Sequence, residues 1–575
     1  MLDVEALLED HLPRWSLKQP LIARPLVTAL RLLLHEQELR QLEADSPHQQ
    51  GFDFVETVLN YFDFSYRLRD GEIQRIPSTG KVVIIANHPI GTLDGLALLK
   101  MVRQVRPDVK VVANEVLSAI KPLESLLLPV DNMNGNTPRK HLIAIRAFLE
   151  RQGALLIFPA GEVSRFGPRG IHDGQWRHGF LKIAASAQAP VLPVHINGRN
   201  SAFFYALSFL AKPLSTFWLV REMFKQADRC IDIRIGEPVA YHQYQAVDLP
   251  LREKAHLFKR HLYRVGADKP VIFNCQKAVA HPEHRLRLRQ EVKNCELLGE
   301  TADNKQIFLY HYQPDSCVMR EIGRLRELAF RAVDEGTGER RDLDHYDQHY
   351  FHLVLWDEEH LEIAGAYRLK DTREATAAQC SRLYSASLFE FTAGMNPYFA
   401  QGLELGRSFV QPRYWGKRSL DYLWYGIGAF LRKNPQYRYL FGPVSLSDAY
   451  PEAAKDALVH FYRRHFRCWQ SLAIARTPYQ ISIAQSKALI EKFPGLNYRE
   501  EFTQLKSELA NMNLRVPTLY KQYSELCESG GVQFAAFNVD PVFSNCVDGL
   551  VIVDLARVKL ARRKRYIDPP HTDRC

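Results

Sequence analysis

The 575-residue sequence lacks three features, and each absence excludes a class of protein. It has no uncharged apolar run of about 18 residues or more, so we expect no membrane-spanning segment. Its start, MLDVEALLEDHLPRW, carries acids where a secretory signal has a basic region and an apolar core, so we expect no signal peptide. The nine cysteines form no C-x-x-C pair, which predicts no disulfide framework, no zinc site and a reducing compartment.

The residues that are present are those of a globular chain, because 46% are hydrophobic and 24% are charged. A chain of this length is expected to form at least two substantial domains. The formal net charge is +10, and part of the excess lies in two clusters, Arg285–Arg289 and Arg562–Arg565. A basic surface favours an anionic partner, and nucleic acid, anionic lipid and an acidic carrier protein all fit at this point.

Apolar periodicity divides the chain into five predicted segments. They are a helical segment over residues 1–50, an α/β domain over 51–265, a linker over 266–295, an α+β domain over 296–566 and a tail over 567–575. The first segment is amphipathic from Pro25 onward, which fits a helix packed on the next domain or one lying in a membrane interface. The basic residues before the tail fit anionic lipid or an exposed, disordered end.

The stretch Lys81–Asp94, KVVIIANHPIGTLD, is the most informative part of the first domain. Val82–Ala86 is short, apolar and β-branched, which predicts a strand buried on both faces. His88 and Asp94 flank the loop that follows. A carboxylate beside a histidine fixes its tautomer and stabilises the imidazolium, so the pair suits removal of a proton from a hydroxyl. The spacing alone favours the simpler alternative, an aspartate that caps a helix beside a partly buried histidine.

Three blocks, in order, resemble the glycerolipid acyltransferase family. They are Asn87-His88 with Asp94, Phe158-Pro-Ala-Gly161-Glu162, and Pro190-Val-Leu-Pro-Val194. The resemblance implies acylation of a hydroxyl by His88 and Asp94, and binding of the acceptor headgroup by Asn87, Gly161, Glu162 and Arg165. Five residues separate His88 from Asp94 where the family usually has four, a spacing similar to a hemolysin-like branch. A positive φ at Gly91 would absorb the extra residue.

Ser201–Phe224 is the most aromatic stretch of the chain, and Lys212 and Pro213 interrupt it. An aromatic surface flanked by lysine is typical of a membrane interface. A buried helix pair under the active site fits the same composition, so the sequence supports both interpretations.

The second domain shows a helix, then antiparallel strands, then a strand that leads through a turn into a helix over Ser419–Lys433. This layout resembles the acyl-CoA N-acyltransferases of the GNAT type. In that family the turn binds phosphate of the acyl carrier, as exposed backbone N–H groups at a helix N-terminus do. Arg413 and Gly416 match the turn, and Arg418 replaces its last small residue, which suits a carrier-protein phosphopantetheine better than the CoA diphosphate. An ordinary basic turn is the alternative.

A set of charges in this domain resembles acyl-homoserine-lactone synthases. The set comprises Arg326 and Phe330 on the first helix, Asp344 and Asp347 in LDHYD, and Glu404 with Arg407 in ELGRSF. Glu404–Val410, Phe441–Ser447 and Asn545–Gly549 also resemble ornithine N-acyltransferases, a likeness that covers about residues 290–566. The resemblances imply that Glu404 orients or deprotonates an amine, that Asp344 and Asp347 hold a cationic acceptor, and that Arg407 supports the site. Alone, the two aspartates fit a solvated loop.

The two halves together resemble the bifunctional ornithine-lipid synthases. The resemblance implies that the second domain N-acylates the amino acid with a 3-hydroxyacyl group and that the first O-acylates the lyso-lipid. The implied partners are acyl carrier protein, ornithine, lyso-lipid and the membrane surface, and not nucleic acid; no metal and no cofactor beyond the acyl thioester is implied. We expect peripheral attachment to the cytoplasmic face of the inner membrane. The alternatives are a lysophospholipid acyltransferase with a regulatory second domain and a non-enzymatic membrane-binding protein.

Overall fold

A computed structural model describes residues 48–568 apart from 115–119, 131–138, 168–169, 211 and 495–496, together with five positions between 35 and 44. The helix predicted for residues 1–50 therefore lies almost entirely outside the described residues. The structure divides between His281 and Pro282 into two compact units, which we describe separately.

The first unit contains a seven-stranded sheet in the order β1-β9-β8-β2-β5-β3-β4, parallel except for the pair β8 and β9. A separate hairpin is formed by β6 and β7. The strands are β1 Ser65–Arg67, β2 Val82–Ala86, β3 Val109–Asn114, β4 Leu127–Val130, β5 Ala154–Ile157, β6 Arg165–Gly167, β7 Gly170–His172, β8 Val191–Asn197 and β9 Cys230–Ile235. The helices are α1 Phe52–Tyr61, α2 Thr92–Arg103, α3 Arg139–Glu150, α4 Gly179–Ser186, α5 Ala202–Leu210, α6 Lys212–Phe224, α7 Tyr241–Gln245 and α8 Leu251–Gly266.

Strand β2 is buried on both faces, which confirms the prediction from its apolar sequence. Val82, Ile84 and Ala86 belong to a core that includes residues of α1 and α2. Val83 and Ile85 belong to a second core that includes residues of α3, α4 and α8. The polar loop after β2 leaves the sheet at the carboxyl end of a parallel strand, where open α/β sheets bind their ligands.

The second unit is built on an eight-stranded sheet in the order β10-β11-β12-β13-β15-β16-β19-β18. Neighbouring strands are antiparallel except β15 and β16, while β14 and β17 pair separately. The strands are β10 Glu296–Glu300, β11 Lys305–His311, β12 Phe351–Asp357, β13 Glu362–Asp371, β14 Phe389–Phe391, β15 Gly402–Val410, β16 Tyr439–Leu446, β17 Ala473–Ala475, β18 Val532–Asp540 and β19 Cys546–Asp554. The helices are α9 Arg285–Lys293, α10 Cys317–Arg331, α11 Ser385–Leu388, α12 Asn396–Phe399, α13 Ser419–Lys433, α14 Glu452–His465, α15 Ile483–Lys492, α16 Tyr498–Asn511, α17 Thr518–Ser524 and α18 Leu560–Tyr566.

Strands β15 and β16 pair only from Gly402 to Glu404 and then separate. Beyond that point β15 continues along β13 as far as Val410. At the end of this pairing the two backbones are in close contact. A Cβ added to Gly442 of β16 would lie 2.0 Å from the Leu405 carbonyl oxygen of β15, so this position requires glycine. Glu404 therefore lies where two neighbouring strands diverge.

The structure differs from the sequence-based expectations in several places. Part of the predicted linker, Arg285–Lys293, is a helix whose Leu288 and Val292 are buried in a core of the second unit. The aromatic stretch forms α5 and α6, with Phe204 buried and Phe209 exposed, so it is neither wholly buried nor wholly exposed, and its contact with a membrane stays a prediction. Of the predicted tail, residues 569–575 lie outside the described part of the chain. Within that part, no helix is long and apolar enough to cross a membrane.

Two candidate active sites

His88 and Asp94 contact each other at the end of β2. His88 Nδ1 lies 2.8 Å from Asp94 Oδ1. The second carboxylate oxygen, Oδ2, accepts the N–H groups of Ile90 at 2.8 Å and Gly91 at 3.3 Å, at the start of α2. The aspartate therefore caps the helix and orients the imidazole at once. Gly91 has a φ of +129°, the positive value expected from the extra residue in this loop.

The environment of His88 makes it a stronger base than a free histidine. Burial lowers the pKa of His88, but the charge and hydrogen bonding of Asp94 outweigh burial, so the pKa lies above its ordinary value. The side chain is 21% exposed, while Asp94 is fully buried. The Phe158 ring covers the imidazole at a centroid distance of 4.2 Å. A basic, partly accessible histidine is suited to take a proton from a hydroxyl.

Asp173, which sequence analysis missed, ties the His88 loop to the segment after β5. Its Oδ1 accepts the His88 N–H at 3.2 Å and the Ser164 hydroxyl at 2.5 Å, and its Oδ2 accepts the Trp176 indole N–H at 2.8 Å. Ser164 N–H in turn donates to the His88 carbonyl at 2.7 Å. Asp173 directly follows β7 in the sequence GIHDGQW, where no periodicity distinguishes it from a solvated acid.

The predicted headgroup residues lie around the same loop. The Asn87 side-chain amide donates to the Ile196 carbonyl at 2.8 Å and accepts the Ile196 N–H at 2.7 Å, so it connects the end of β2 to β8. Gly161 adopts a φ of +67° in the turn after β5. Arg165 lies over the Phe204 ring at 5.0 Å, and burial lowers its pKa although the Glu162 charge acts the other way. The contacts of Asn87 are structural; whether the other three bind an acceptor stays a prediction.

Glu404 is buried in the second unit where β15 and β16 diverge. Its Oε2 accepts the Tyr350 hydroxyl, and its Oε1 accepts the Ser385 N–H at 2.7 Å. Burial raises the pKa of Glu404 above its ordinary value, although these hydrogen bonds act in the opposite direction. A buried carboxyl group with a raised pKa is suited to orient an amine or to accept its proton.

Arg326, Asp347 and Arg368 form a buried charge network. Asp347 Oδ1 accepts Arg326 Nη1 at 2.9 Å and Arg368 Nη1 at 3.1 Å. Burial raises the pKa of Asp347, but the two guanidinium groups outweigh it and hold the pKa well below its usual range. Asp347 thus has two cationic partners within the protein, which differs from its predicted role of holding a cationic acceptor. Asp344 accepts Arg368 Nη1 at 2.7 Å and stays partly exposed.

Arg407 connects this network to two aromatic rings. Its Nε lies 3.5 Å from Asp342 Oδ2, and its Nη2 lies 3.6 Å from Asp344 Oδ2. The guanidinium packs over the Tyr384 and Phe543 rings at 4.6 and 4.7 Å. Its φ is +49°, a left-handed conformation that costs a non-glycine residue free energy and is concentrated at functional sites. Arg407 therefore contacts both the charge network and the aromatic rings, and its predicted role of supporting an acceptor site stays a prediction.

Phe330 lies behind this cluster. Its ring packs edge-to-face on Phe543 at 5.2 Å, in the core between α10 and the sheet. It supports the ring on which Arg407 lies, so its contact with the site is indirect.

Three further acids, Glu335, Asp540 and Asp548, are buried close to the cluster. The Tyr384 hydroxyl donates to Asp540 at 3.2 Å, and the Ser445 hydroxyl donates to Glu335 at 3.2 Å. Burial raises the pKa of Glu335 to about 7 and raises that of Asp548 well above its ordinary value. Sequence analysis missed this group because its members come from distant segments and meet only in the folded sheet.

The predicted phosphate turn precedes α13, a helix that spans the predicted residues Ser419–Lys433. Gly416 has a φ of +75°, consistent with its place in a tight turn. Arg413 Nη1 lies 2.6 Å from Glu362 Oε1 and is therefore paired within the protein. The Arg418 side chain is 61% exposed and lies 3.9 Å from Asp421, so it is the more available of the two cations.

The basic cluster Arg562–Arg565 lies on α18, where acids of the same unit neutralise much of it. Arg562 pairs with Glu525, Arg563 with Asp568 and Arg565 with Asp421. These pairs weaken the case for this cluster as a binding surface for anionic lipid.

The turn between β12 and β13 brings together three side chains of metal-ligand type. Ligand atoms of Asp357, Glu359 and His360 lie within 4.8 Å of one another. Asp357 Oδ1 accepts the N–H groups of Glu359 and His360 at 3.0 and 3.1 Å, and its Oδ2 accepts the Tyr414 hydroxyl at 2.8 Å. The carboxylate therefore already has a structural role in the turn.

Comparison with known proteins identifies both units. A family model described as Acyltransferase matches residues 14–268, and one described as Acetyltransferase (GNAT) domain matches residues 325–425. The glycine N(alpha)-acyltransferase of Bacteroides thetaiotaomicron is 30% identical over 312 residues, which cover 52% of this chain and 88% of that protein. The lyso-glycine lipid O-acyltransferase of Phocaeicola vulgatus is 27% identical over 257 residues, which cover 44% of this chain and 90% of that protein. The L-ornithine N(alpha)-acyltransferase of Brucella abortus is 34% identical over 147 residues, covering 23% and 51%.

The two matched domains, with a His–Asp pair in one and a buried glutamate in the other, define this chain as an acyltransferase enzyme. It belongs to the family of the glycine N(alpha)-acyltransferase of B. thetaiotaomicron. The predicted fold class is confirmed: a glycerolipid-acyltransferase-like α/β domain precedes a GNAT-like α+β domain. The alternative of a non-enzymatic protein is set aside.

Proposed function

We propose that this enzyme makes an amino-acid-containing lipid by two successive acyl transfers and that the amino acid is ornithine. One observation carries the proposal: the chain holds a His88–Asp94 pair suited to a hydroxyl acceptor and a buried Glu404 suited to an amine acceptor. Relatives named for N-acylation of an amino acid and for O-acylation of a lyso-lipid support the assignment of one transfer to each unit.

The first transfer belongs to the second unit. The neutral α-amine of the amino acid attacks the carbonyl carbon of a 3-hydroxyacyl thioester, the C–S bond breaks, and the carrier leaves as a thiol. Glu404 orients the amine or accepts its proton, which its raised pKa favours. Arg407 supports the acceptor site through Asp342, Asp344 and Tyr384.

The second transfer belongs to the first unit. The 3-hydroxyl of the lyso-lipid loses its proton to His88 as its oxygen attacks a second acyl thioester, and the thiol leaves with that proton. Asp94 fixes the imidazole and stabilises the imidazolium formed in the step. Glu162 and Arg165 are the proposed contacts to the acceptor headgroup.

Ornithine is favoured over a neutral amino acid by the charge around Arg407. The charges of Glu335 and Asp548 interact with that of Arg407, and burial raises the pKa of both acids. A side-chain ammonium bound nearby would stabilise their ionised forms, because an opposite charge a few ångströms away lowers a carboxyl pKa. Similarity to L-ornithine N(alpha)-acyltransferases supports the same choice. Glycine, named in a relative of which the chain covers 88%, is the competing amino acid.

The proposed acyl donors are thioesters of acyl carrier protein or CoA, used as co-substrates without a further cofactor. The exposed Arg418 and the net charge of +10 support an acidic carrier for the N-acyl step.

We further propose peripheral attachment to the cytoplasmic face of the inner membrane. Phe203 and the 90% exposed Phe209 on α5 support it, because exposed aromatic rings insert among lipid headgroups. High salt is expected to weaken attachment by screening basic residues. Retention in the membrane fraction after both salt and alkaline washes would contradict peripheral attachment.

Lipid analysis of a host that makes no amino-acid lipid tests the function. The full chain is expressed with isotope-labelled ornithine or labelled glycine, and the lipids are analysed by mass spectrometry. The expected product is free of phosphorus, carries the ornithine label and has two acyl chains; the double variant His88→Ala/Glu404→Gln is the control. If the lipid carries label from glycine and not from ornithine, the amino acid of the product is glycine. Altered phospholipids without labelled lipid would favour a lysophospholipid acyltransferase with a regulatory second unit.

A further inference from the structure

A cavity of about 1360 Å³ lies in the first unit beside the catalytic loop. Its wall includes Asn87, Pro89 and Ile90 of that loop, on either side of His88. Hairpin β6–β7, the ends of β8 and β9 and one face of α8 complete the wall. The cavity is therefore continuous with the loop that presents His88. The family resemblance assigned Asn87 and Arg165 in its wall to the acceptor headgroup and gave no role to its α8 side.

The cavity carries an excess of positive charge. Seven lysine and arginine side chains line it, and Asp173 is the acid among its lining residues. The carboxylate of Asp173 already accepts Ser164, Trp176 and the His88 N–H. Five of the cations form no ion pair with any acid in the described part of the chain: Arg199, Arg229, Arg260, Arg264 and Lys269. A concave site with this excess has its strongest affinity for an anion.

Neutral polar atoms accompany the cations. The Nδ1 atoms of His172 and His195 are buried and have no hydrogen-bond partner among the described residues. His172 stacks on Tyr263 at a centroid distance of 4.5 Å. Burial lowers the pKa of His195 to about 4, so its ring is neutral at pH 7 and offers a hydrogen bond without charge. The cavity therefore offers neutral hydrogen-bonding groups beside a cationic region.

The amount of charge indicates which anion fits. One carboxylate is matched by a single guanidinium in a bidentate pair, whereas several unpaired cations suit a phosphate. Arg260 and Arg264 stand one helical turn apart on α8, so their side chains reach the same region. The ornithine lyso-lipid of the proposed function carries ammonium beside its carboxylate, and this cavity would repel that ammonium. The acyl donor carries phosphate on a long amide-containing arm.

We propose that this cavity binds the phosphate of the 4′-phosphopantetheine arm of the acyl donor in the O-acyl step. The inference rests on the proposed function, because it assigns the cavity to the donor of that reaction. The volume exceeds the range of about 300–1,000 Å³ typical of ligand pockets, so it accommodates a phosphate together with part of the arm. CoA and holo acyl carrier protein both present this phosphate, and the experiment distinguishes them.

Binding to the full chain tests the cavity without reference to activity. The variant is Arg260→Gln/Arg264→Gln, and the matched control is Arg146→Gln, which removes an exposed arginine of α3 that pairs with Glu150. The probes are CoA, pantetheine without phosphate, holo carrier protein and apo carrier protein, all at one salt concentration. The second unit is proposed to bind an acyl donor as well, so the parent is expected to show two binding sites for CoA or holo carrier. The double variant should weaken one of them at least tenfold and should bind apo carrier and pantetheine as before. The probe whose binding is weakened, CoA or holo carrier protein, identifies the source of the phosphate.

Two outcomes of the binding experiment would overturn the inference. One is unchanged affinity of the double variant for both CoA and holo carrier at each of the two donor sites. The other is an equal loss for apo and holo carrier, because that would assign the arginines to the protein surface of the carrier and not to the arm.

Steady-state O-acylation of supplied lyso-lipid gives the second measurement. The double variant is expected to raise KM for the donor about tenfold with kcat within twofold, and to leave KM for the lyso-lipid unchanged. A rise in KM for the lyso-lipid instead would assign the cavity to the acceptor and overturn the inference. If the parental enzyme acylates no lyso-lipid from either donor, the proposed function fails, and the binding data still decide whether the cavity holds the phosphate.

Discussion

His88 and Asp94 are joined at 2.8 Å through a carboxylate that also caps α2. Asp94→Asn keeps the size of the side chain and an oxygen for the cap but removes the charge. His88 must be neutral to accept a proton, so activity falls below its pKa, which Asp94 raises. We expect the rate of O-acyl transfer to fall by a factor of about 10²–10⁴ in the variant. We also expect the acid limb of its pH–rate profile to move to lower pH.

The pH dependence of kcat/KM with supplied lyso-lipid measures this effect. N-acylation by the same preparation is the control, because Asp94 belongs to the other unit. An acid limb at the same pH in parent and variant would mean that His88 is not the group that titrates.

The buried ion pair of Arg326 and Asp347 predicts that substitution of either residue lowers the stability of the fold more than it alters catalysis. Arg326→Met fills a similar volume but leaves buried Asp347 with Arg368 as its remaining strong partner. Removal of one member of a buried pair typically costs about 3–5 kcal/mol, and Arg368 should place this loss near the lower end. Urea denaturation measures it, with Arg382→Met at an exposed position as the control, expected within about 0.5 kcal/mol of the parent. Equal stabilities of both variants would contradict the buried network.

The local parts of the first site were predictable from the sequence. An apolar β-branched run identified Val82–Ala86 with its observed bounds, and amphipathic spacing identified the helix after it to within a few residues. His88 and Asp94 meet because one follows a strand and the other lies in the first turn of the next helix. Such short-range geometry follows from backbone periodicity alone.

The long-range parts of both sites were not predictable. Asp347 in LDHYD was predicted to hold a cationic acceptor, and its pairing with Arg368 was missed, since only the pairing of β12 with β13 brings Arg368 against it. Tyr350 and Tyr384 lie far from Glu404 in sequence and show no periodic signal. Asp173 reaches the His88 N–H from beyond hairpin β6–β7. Contacts of this kind depend on strand register, which a single sequence does not reveal.

Arg418 offers a test of the donor in the N-acyl step. Arg418→Glu reverses an exposed charge in the turn before α13, so it should raise KM for an acidic carrier more than it alters kcat. Arg413→Glu should act in the same direction and also lose stability, because it places a carboxylate beside Glu362. Arg432→Glu, at the other end of the helix, is the matched control. Equal or better kinetics of the parent with acyl-CoA would contradict a carrier-protein donor.

Glu404→Gln tests the amine site. The substitution keeps size and most hydrogen-bonding capacity but removes the charge that would accept a proton. We expect N-acylation to fall by about 10²–10⁴, so that both mono-acylated and di-acylated lipids decrease in cells. Lyso-lipid supplied to an extract of this variant should still be O-acylated, because the first unit is unchanged. An extract that fails to acylate supplied lyso-lipid would show that the substitution acts on more than the amine site.

His88→Ala tests the order of the two transfers. The hydroxyl that His88 would activate belongs to the 3-hydroxyacyl chain, which reaches the amino acid only in the N-acyl step. The variant removes the proposed base and leaves Glu404 in the other unit unchanged, so cells should accumulate mono-acylated lyso-lipid and contain little di-acylated product. A fall in rate by a factor of about 10²–10⁴ is large enough to be visible in a lipid profile. The control is Lys100→Ala on α2, which removes an exposed ion pair with Glu56. Di-acylated lipid at the parental level would remove His88 from the mechanism.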